Sequence, residues 1–297
     1  MKTAGTAVAG VGIYLPPAGT SSAPHFSGAD CHGVSNRVEA GQGLSTPSLA
    51  AGAARAALRA ATVPVEEIQL IVVGTTSPDV LWPTTACLVQ VELGLPMVGA
   101  LDLYAGEAGL LTALNVGHHY ITAGSRAVLV IGAESDNQLV DLPGQPRPHG
   151  RAASAVVLRR VAGDGDILAS VTGGAGAGDS SADHDRALIR GLVQAVGQCL
   201  RLAGVEPAQV DLVIGEQTAP DVTRAWAKAA GFTIDRVVLD PGRYGSAFAA
   251  AAFVALHDAV TEGRLRPGQI AVLLSCGSGP AWAVTCLRWG GGGVGEW

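Results

Sequence analysis

Lysine is nearly absent from this chain: of its 19 basic residues only Lys2 and Lys228 are lysines, and charged residues of both signs fill 15% of its 297 positions. So little charge, beside 48% hydrophobic residues, excludes a disordered chain and implies a large buried core. The net charge of −6 speaks against a nucleic-acid or anionic-membrane partner. The lysine scarcity accompanies an excess of Ala, Gly and Val. It reflects GC-rich coding and carries no chemistry. Long apolar runs are missing as well: no stretch reaches the roughly 18 uninterrupted apolar residues of a membrane span. Five cysteines occur, Cys31, Cys87, Cys199, Cys276 and Cys286, an odd number with no CxxC spacing. That pattern argues against a disulfide framework or zinc site, and reduced thiols fit a cytoplasmic protein. The start of the chain has one Lys and an apolar run broken by Gly10 and Gly12, with no small-x-small cleavage site. It reads as a first strand over residues 8–15 rather than a signal peptide.

What the chain does have is an internal repeat. Residues 63–80 (VPVEEIQLIVVGTTSPDV) are echoed by 205–222 (VEPAQVDLVIGEQTAPDV), and Pro78 and Pro220 stand 142 positions apart. A second echo pairs 123–130 (AGSRAVLV) with 267–274 (PGQIAVLL), where Gly124 and Gly268 are 144 apart. Two blocks recurring in order at nearly one offset indicate a duplicated half-domain. The two halves are expected over 1–165 and 166–297.

Each half predicts the same succession. An amphipathic helix (46–61; 185–203) leads to a short apolar strand (70–73; 212–214). A Pro-Asp turn and a helix (84–93; 222–230) follow, then a short strand (98–103; 236–239). A small-residue helix (107–123; 247–262) and a strand (127–131; 270–274) close the unit. Alternation of this kind predicts an α/β fold with parallel, buried sheets. Two stacked halves make five layers, α/β/α/β/α, related by a pseudo-twofold, with the small-residue helices in the middle. Ligands bind at the carboxyl ends of such strands. Here those ends carry Glu107, Glu216, Ser246 and the turn Gly277-Ser278-Gly279.

These segments resemble the ketoacyl-ACP synthase III family of the thiolase superfamily, over 68–134 and 205–289. Residues 74–90 (GTTSPDVLWPTTACLVQ) look like the family's strand and dimer-interface helix. Residues 102–109 (DLYAGEAG) stand where the family has Asp-Leu-x-Ala-Ala-Cys-x-Gly. Gly215-Glu216-Gln217-Thr218 replaces Pro-His-Gln-Ala, and Tyr244-Gly245-Ser246-Ala247 replaces Tyr/His-Gly-Asn-Thr. Cys276-Gly277-Ser278-Gly279-Pro280-Ala281-Trp282 matches the closing Phe-Gly-Gly-Gly-x-x-Trp. The resemblance implies that the family's Cys, His and Asn become Glu107, Glu216 and Ser246. It also implies an oxyanion hole from the backbone N–H groups of Glu107 and Ser278, and a substrate pocket involving Trp82, Tyr104, Phe248 and Pro280. Residues 18–44 lack the family's Trp-containing block that grips the nucleotide end of coenzyme A, and the acyl-pocket loop after Ala169 is shortened to a Gly-rich run, 173–179. That run lacks the Lys-Ser/Thr ending of a phosphate loop and reads as a surface loop.

Glu107 makes acyl-cysteine chemistry improbable, because a carboxylate attacks acyl carbon poorly and would yield an anhydride. Two carboxylates facing each other in a dry site provide an acid and a base. Three readings remain open: acid–base chemistry on a carrier-bound acyl chain, a catalytically silent subunit partnering an intact synthase III, and malonyl-thioester decarboxylation. The expected partners are acyl carrier protein, or the acyl chain on its phosphopantetheine arm, and a second subunit, identical or not. No cofactor or metal is expected. His118-His119 is adjacent in sequence on one helix, so the rings should point apart rather than share an ion. His149-Gly150-Arg151 reads as a turn before a strand at 152–158.

Overall fold

The computed structural model describes residues 4–16, 44–135, 151–163, 165–174, 181–215, 220–238, 248–276 and 281–296. Expectations that fall on 17–43, 136–150, 175–180, 216–219, 239–247 and 277–280 lie outside the described residues.

The N-terminal part forms β1 (Ala4–Tyr14), α1 (Thr46–Ala61), β2 (Ile68–Gly74), α2 (Thr85–Leu93), β3 (Gly99–Leu103), α3 (Gly109–Ala123), β4 (Ala127–Glu134) and β5 (Ala152–Ala162). The remainder forms β6 (Ile167–Gly174), α4 (Ser181–Ala203), β7 (Leu212–Gly215), α5 (Pro220–Ala229), α6 (Ala251–Thr261), β8 (Ile270–Cys276), β9 (Ala281–Arg288) and β10 (Gly293–Glu296). The first sheet runs β10-β1-β5-β4-β2-β3 and the second β6-β9-β8-β7. In each, two neighbouring strands run parallel (β2 with β4, β7 with β8) and the long strand beside them is antiparallel.

The repeat seen in the sequence is thus a repeat of topology. Where β2 pairs Ile71 with Ala100 of β3, β7 pairs Val213 with Val237 in a single bridge. Among the described residues, which here end at 238, the strand expected at 236–239 is one residue pair, and a 3-10 turn over Ile234–Arg236 occupies its start.

Packing sorts the helices into layers. Helices α3 and α6 lie between the sheets. Leu110, Leu111 and Leu114 of α3 and Phe253 and Leu256 of α6 join one core with Val72, Val130 and Leu158 of the first sheet and Leu212, Leu273 and Leu287 of the second. Helix α1 covers the outer face of the first sheet with an alanine stripe, Ala50, Ala53, Ala54 and Ala57. Helix α4 covers the second with Leu188, Leu192, Val196 and Leu200. Small side chains let α1 lie close: a side chain at Gly12 would run into the α1 backbone around Ala53 and Ala57. The helix begins at the Ser45 cap, whose hydroxyl accepts the Ser48 N–H at 3.1 Å, with Pro47 in the first turn.

Several boundaries differ from the periodicity. Helix α3 starts at Gly109, two residues after the expected Glu107, because residues 105–108 form a tight turn with Gly106 at φ 56°. Helix α6 starts at Ala251, after a 3-10 turn over Phe248–Ala250. Gly173 and Gly174, read as part of a loop, end β6 and pair with Trp282 and Ala281. Gly173 is glycine for a packing reason, since a side chain there, like one at Gly191, would collide with the Trp282 ring. Strand β10 was hidden by its glycines. It pairs parallel with β1, where Gly293 lies too close to the Ala60 carbonyl for any side chain. Among the described residues no helix is long and apolar enough to cross a membrane.

Gly74, the last residue of β2, sits against the backbone of Gly109 and Leu110 at the start of α3. Gly74→Ala should cost about 1–3 kcal/mol by overpacking, measured by urea unfolding. Gly197→Ala, on α4 with only the tip of Arg201 nearby, should instead stabilise by up to about 1 kcal/mol through helix propensity. Equal effects at the two positions would contradict this packing.

Candidate functional site

The carboxyl ends of β2 and β4 meet the entry to the buried helix α3. The turn into α3 is closed by the Gly109 N–H donating to the Gly106 carbonyl at 2.9 Å. Glu107 sits in that turn, 8% exposed, one residue ahead of the Ala108 cap position. It still lies within reach of the α3 dipole, which favours negative charge at this end. The entry to α6 comes to the same place: Ala249 packs its carbonyl against Gly132 of β4, and the Ser154 hydroxyl donates to the Ala250 carbonyl at 2.8 Å.

Beside Glu107 is a carboxyl that the sequence reading missed. Glu134 ends β4 and is fully buried. It accepts the Thr76 N–H at 2.8 Å, the Thr76 hydroxyl at 2.9 Å and the Ser77 hydroxyl at 2.7 Å. The network continues inward. Ser77 Oγ accepts the Ser135 N–H at 2.8 Å. The Thr46 hydroxyl donates to the Ser77 carbonyl at 2.6 Å and lies 2.7 Å from Ser135 Oγ. The Thr46 N–H donates to Asp79 at 3.1 Å. Burial pushes the Glu134 carboxyl up to about 7; the hydrogen bonds from Ser77 and Thr76 oppose this, and the charge of Glu107 adds to it. The available signal was a carboxylate attached directly to the end of a wholly apolar strand, 127–133, opposite a Thr-Thr-Ser turn.

Of the residues singled out from sequence, Glu107 is therefore buried at the mouth of the central layer. Glu216, Ser246, Ser278 and Pro280 lie outside the described residues, as does the Phe248 side chain. Glu216 directly follows the end of β7 and Gly277 the end of β8. Trp82 and Tyr104, expected in a pocket, stand on the exposed face formed by α2 and edge strand β3, Trp82 81% and Tyr104 54% exposed in the single chain. The Tyr104 hydroxyl donates to Asp102 at 3.1 Å, and Asp102 accepts the Thr85 and Ala86 N–H groups at 2.7 and 2.8 Å at the start of α2. Partial burial and the Asp102 carboxylate hold the Tyr104 phenol up at about 12.

Other candidates are absorbed by the fold. Cys199 and Cys286 are buried thiols pushed up to about 11 and 12 by desolvation. Cys276 is buried at the end of β8, and Cys87 is half-buried on α2. The His118 and His119 rings do not point apart as expected. They meet edge to face at 5.6 Å, His118 bonded to Thr6 and His119 to the Asn115 carbonyl. No cluster of three metal-ligating side chains exists among the described residues.

A model of the 3-oxoacyl-[acyl-carrier-protein] synthase III family matches residues 101–176, and one of its C-terminal portion matches residues 200–289. The β-ketoacyl-[acyl-carrier-protein] synthase III of Aquifex aeolicus is 30% identical over 309 residues, covering 96% of this chain and 100% of that protein. The crystal structure of the synthase III from Aquifex aeolicus superposes with a TM-score of 0.84 at 29% identity, over 96% of this chain and 100% of the other. The priming β-ketosynthase of the R1128 polyketide pathway superposes at 0.82 over 96% of each chain, and at 24% identity this likeness concerns the fold alone. With its repeated sheets, its buried central helices and these relatives, the chain belongs to the β-ketoacyl-[acyl-carrier-protein] synthase III family and has its thiolase-like fold.

Proposed function

We propose that this protein serves fatty-acid- or polyketide-type biosynthesis in the cytoplasm, in a specialised rather than a housekeeping pathway. It acts on an acyl or ketoacyl chain held by acyl carrier protein, through acid–base chemistry of Glu107 and Glu216 and without an acyl-cysteine intermediate. The observation that carries this reading is Glu107 itself. It stands where the family motif has its cysteine, it is buried at the mouth of α3, and the buried thiols Cys199 and Cys286 are held neutral elsewhere in the core.

A carboxylate in that position does proton chemistry better than acyl transfer. One carboxyl takes a proton from the carbon next to a thioester or ketone. The backbone N–H groups of Glu107 and Ser278 stabilise the enolate oxygen, and the second carboxyl returns the proton. Enolisation, aldol-type closure and dehydration fit this scheme; in hydrolysis the first carboxyl would instead take the proton of a water attacking the thioester carbon while the second protonates the departing thiolate. Ser246 supplies a hydroxyl where the family has an amide. Decarboxylation of a malonyl thioester fits less well, since a carboxylate repels the malonate and the His and Asn donors are replaced. Residues 18–44 lack the nucleotide-gripping block, which favours acyl carrier protein over coenzyme A as the carrier.

The second reading is a silent subunit beside an intact synthase III, and under either reading the exposed apolar face supports a partner subunit. Leu81, Trp82, Val91 and Met97 are all more than half exposed beside the unpaired edge of β3. A second subunit, identical or not, covers this face and continues the sheet through β3, giving a large apolar interface of the obligate class. Sedimentation at micromolar concentration should show a dimer; a stable monomer, alone and with candidate synthase III partners, contradicts it.

The functional reading is tested by Glu107→Gln and Glu216→Gln. Each should lower turnover by about 10²–10⁴-fold, the usual contribution of a general acid or base. The wild-type rate should follow a bell-shaped pH profile belonging to the coupled groups. Retention of full product formation by both variants in the presence of the partner proteins would establish the silent-subunit reading instead.

A further inference from the structure

We propose that the cleft at the amino-terminal ends of β1, β2 and β4, lined by Arg126, Arg159 and Arg160, binds a small polyphosphate anion, either inorganic pyrophosphate or the phosphate end of a metabolite. It lies at the end of the first sheet opposite to Glu107 and Glu134 and takes no part in the chemistry proposed there.

The cleft follows from where the strands begin and end. Ala4 opens β1, Glu67 stands directly before β2, Arg126 directly before β4, and residues 159–162 are the last four of the antiparallel β5. With Ala4, Val161 and Ala162 as apolar walls, these residues surround about 410 Å³, within the range of small-ligand sites. The ladder sets two of the arginines face to face. Ala127 pairs with Arg159, and one step further the Arg160 N–H donates to the Arg126 carbonyl at 2.8 Å. Arg126 and Arg160 therefore stand opposite each other with their side chains on one face. The Arg126 N–H is fixed in turn by the Gln69 side chain, to which it donates at 2.7 Å. Arg159 leaves its strand from the other face, and the cleft around the sheet end receives all three.

Like charges directly opposite across a ladder destabilise it, and no carboxylate is paired with this couple. Among the described residues, the side chains of Arg126, Arg159 and Arg160 make no ion pair and no hydrogen bond. Glu67 is the acidic residue of the cleft, and the charge of Arg159 also bears on Asp166, whose carboxylate is engaged by the Val8 N–H at 2.8 Å. Three guanidinium groups against one carboxylate give the lining an excess of positive charge in a chain whose net charge is −6. Guanidinium forks match phosphate oxygens two at a time, and cations on both faces of the sheet end suit linked phosphates better than a single one. The walls are small aliphatic side chains with no aromatic ring on which a base could stack, so the site reads the anionic end of its ligand. Glu67 and the negative charge of the whole chain disfavour long polyanions such as nucleic acid.

The test is calorimetric titration of the full chain with inorganic pyrophosphate in low salt. Saturable binding of one pyrophosphate per chain is expected, weakening as salt screens the charges. Arg126→Gln and Arg160→Gln should each weaken it by about tenfold or more, the loss of a charge-assisted hydrogen bond. Glu67→Gln should tighten it, and Arg224→Gln, on α5, should leave it unchanged. Without ligand, Arg126→Gln should unfold in urea no more readily than the wild type, because it relieves the opposed pair. A marked loss of stability there assigns the arginines to the fold and overturns the proposal. The absence of saturable binding, binding that survives both arginine changes, or sulfate bound as tightly as pyrophosphate overturns it too, as does binding of phosphatidylglycerol vesicles without binding of pyrophosphate. No acyl substrate is involved, so the outcome is independent of the chemistry proposed for Glu107 and Glu216.

Discussion

Helix α3 is enclosed between two sheets, and that enclosure constrains everything at its entry. Polar groups there must find partners within the chain, because water does not supply them. Gly74 has no side chain so that β2 can end against the first turn of α3. Gly106 adopts a left-handed backbone so that the chain can turn into the helix within a few residues. Glu134 carries three hydrogen bonds because a buried carboxyl with fewer would be untenable. Glu107 is placed by the same turn and is subject to the same scarcity of water. The chemistry proposed for the site thus starts from packing, which holds the Glu107 carboxyl in a tight turn at the mouth of the buried central layer.

The architecture was legible in the sequence because a duplication makes its own case. Two blocks at offsets of 142 and 144 positions foretold two sheets with equivalent strand order, and the small residues of α3 and α6 marked them as the central layer. The places where the reading failed share a cause. Periodicity carries no information on a residue whose role is to be absent. Gly173 and Gly174 looked like loop and are strand, and the Trp282 ring needs the space beside Gly173. The strand over Gly293–Glu296 is glycine for its approach to α1 and so showed no alternation. Before Val237 the reason is different: a local 3-10 turn over Ile234–Arg236 takes the place of the start of the expected strand.

The site was half legible. Glu107 stands out once the motif 102–109 is set beside the family, and the fold buries it in the turn ahead of α3. Glu134 escaped because in sequence it is the polar end of an apolar strand, the place where a chain normally emerges into solvent. Only the fold shows that β4 ends beneath another turn. Trp82 and Tyr104, given to the substrate pocket by resemblance, are exposed in the single chain beside the unpaired edge of β3. Trp82 falls in the segment 74–90 that resembles the family's dimer-interface helix, so its exposure in the single chain agrees with the expected second subunit.

The central claim is that a carboxyl has taken the place of the nucleophile and that no thiol has assumed its role. Intact-mass measurement of the protein after incubation with acetyl and malonyl thioesters of acyl carrier protein and of coenzyme A tests it most directly. The account predicts an unmodified mass with every donor. A stoichiometric acyl adduct that maps to any of the five cysteines, Cys31, Cys87, Cys199, Cys276 or Cys286, would contradict it.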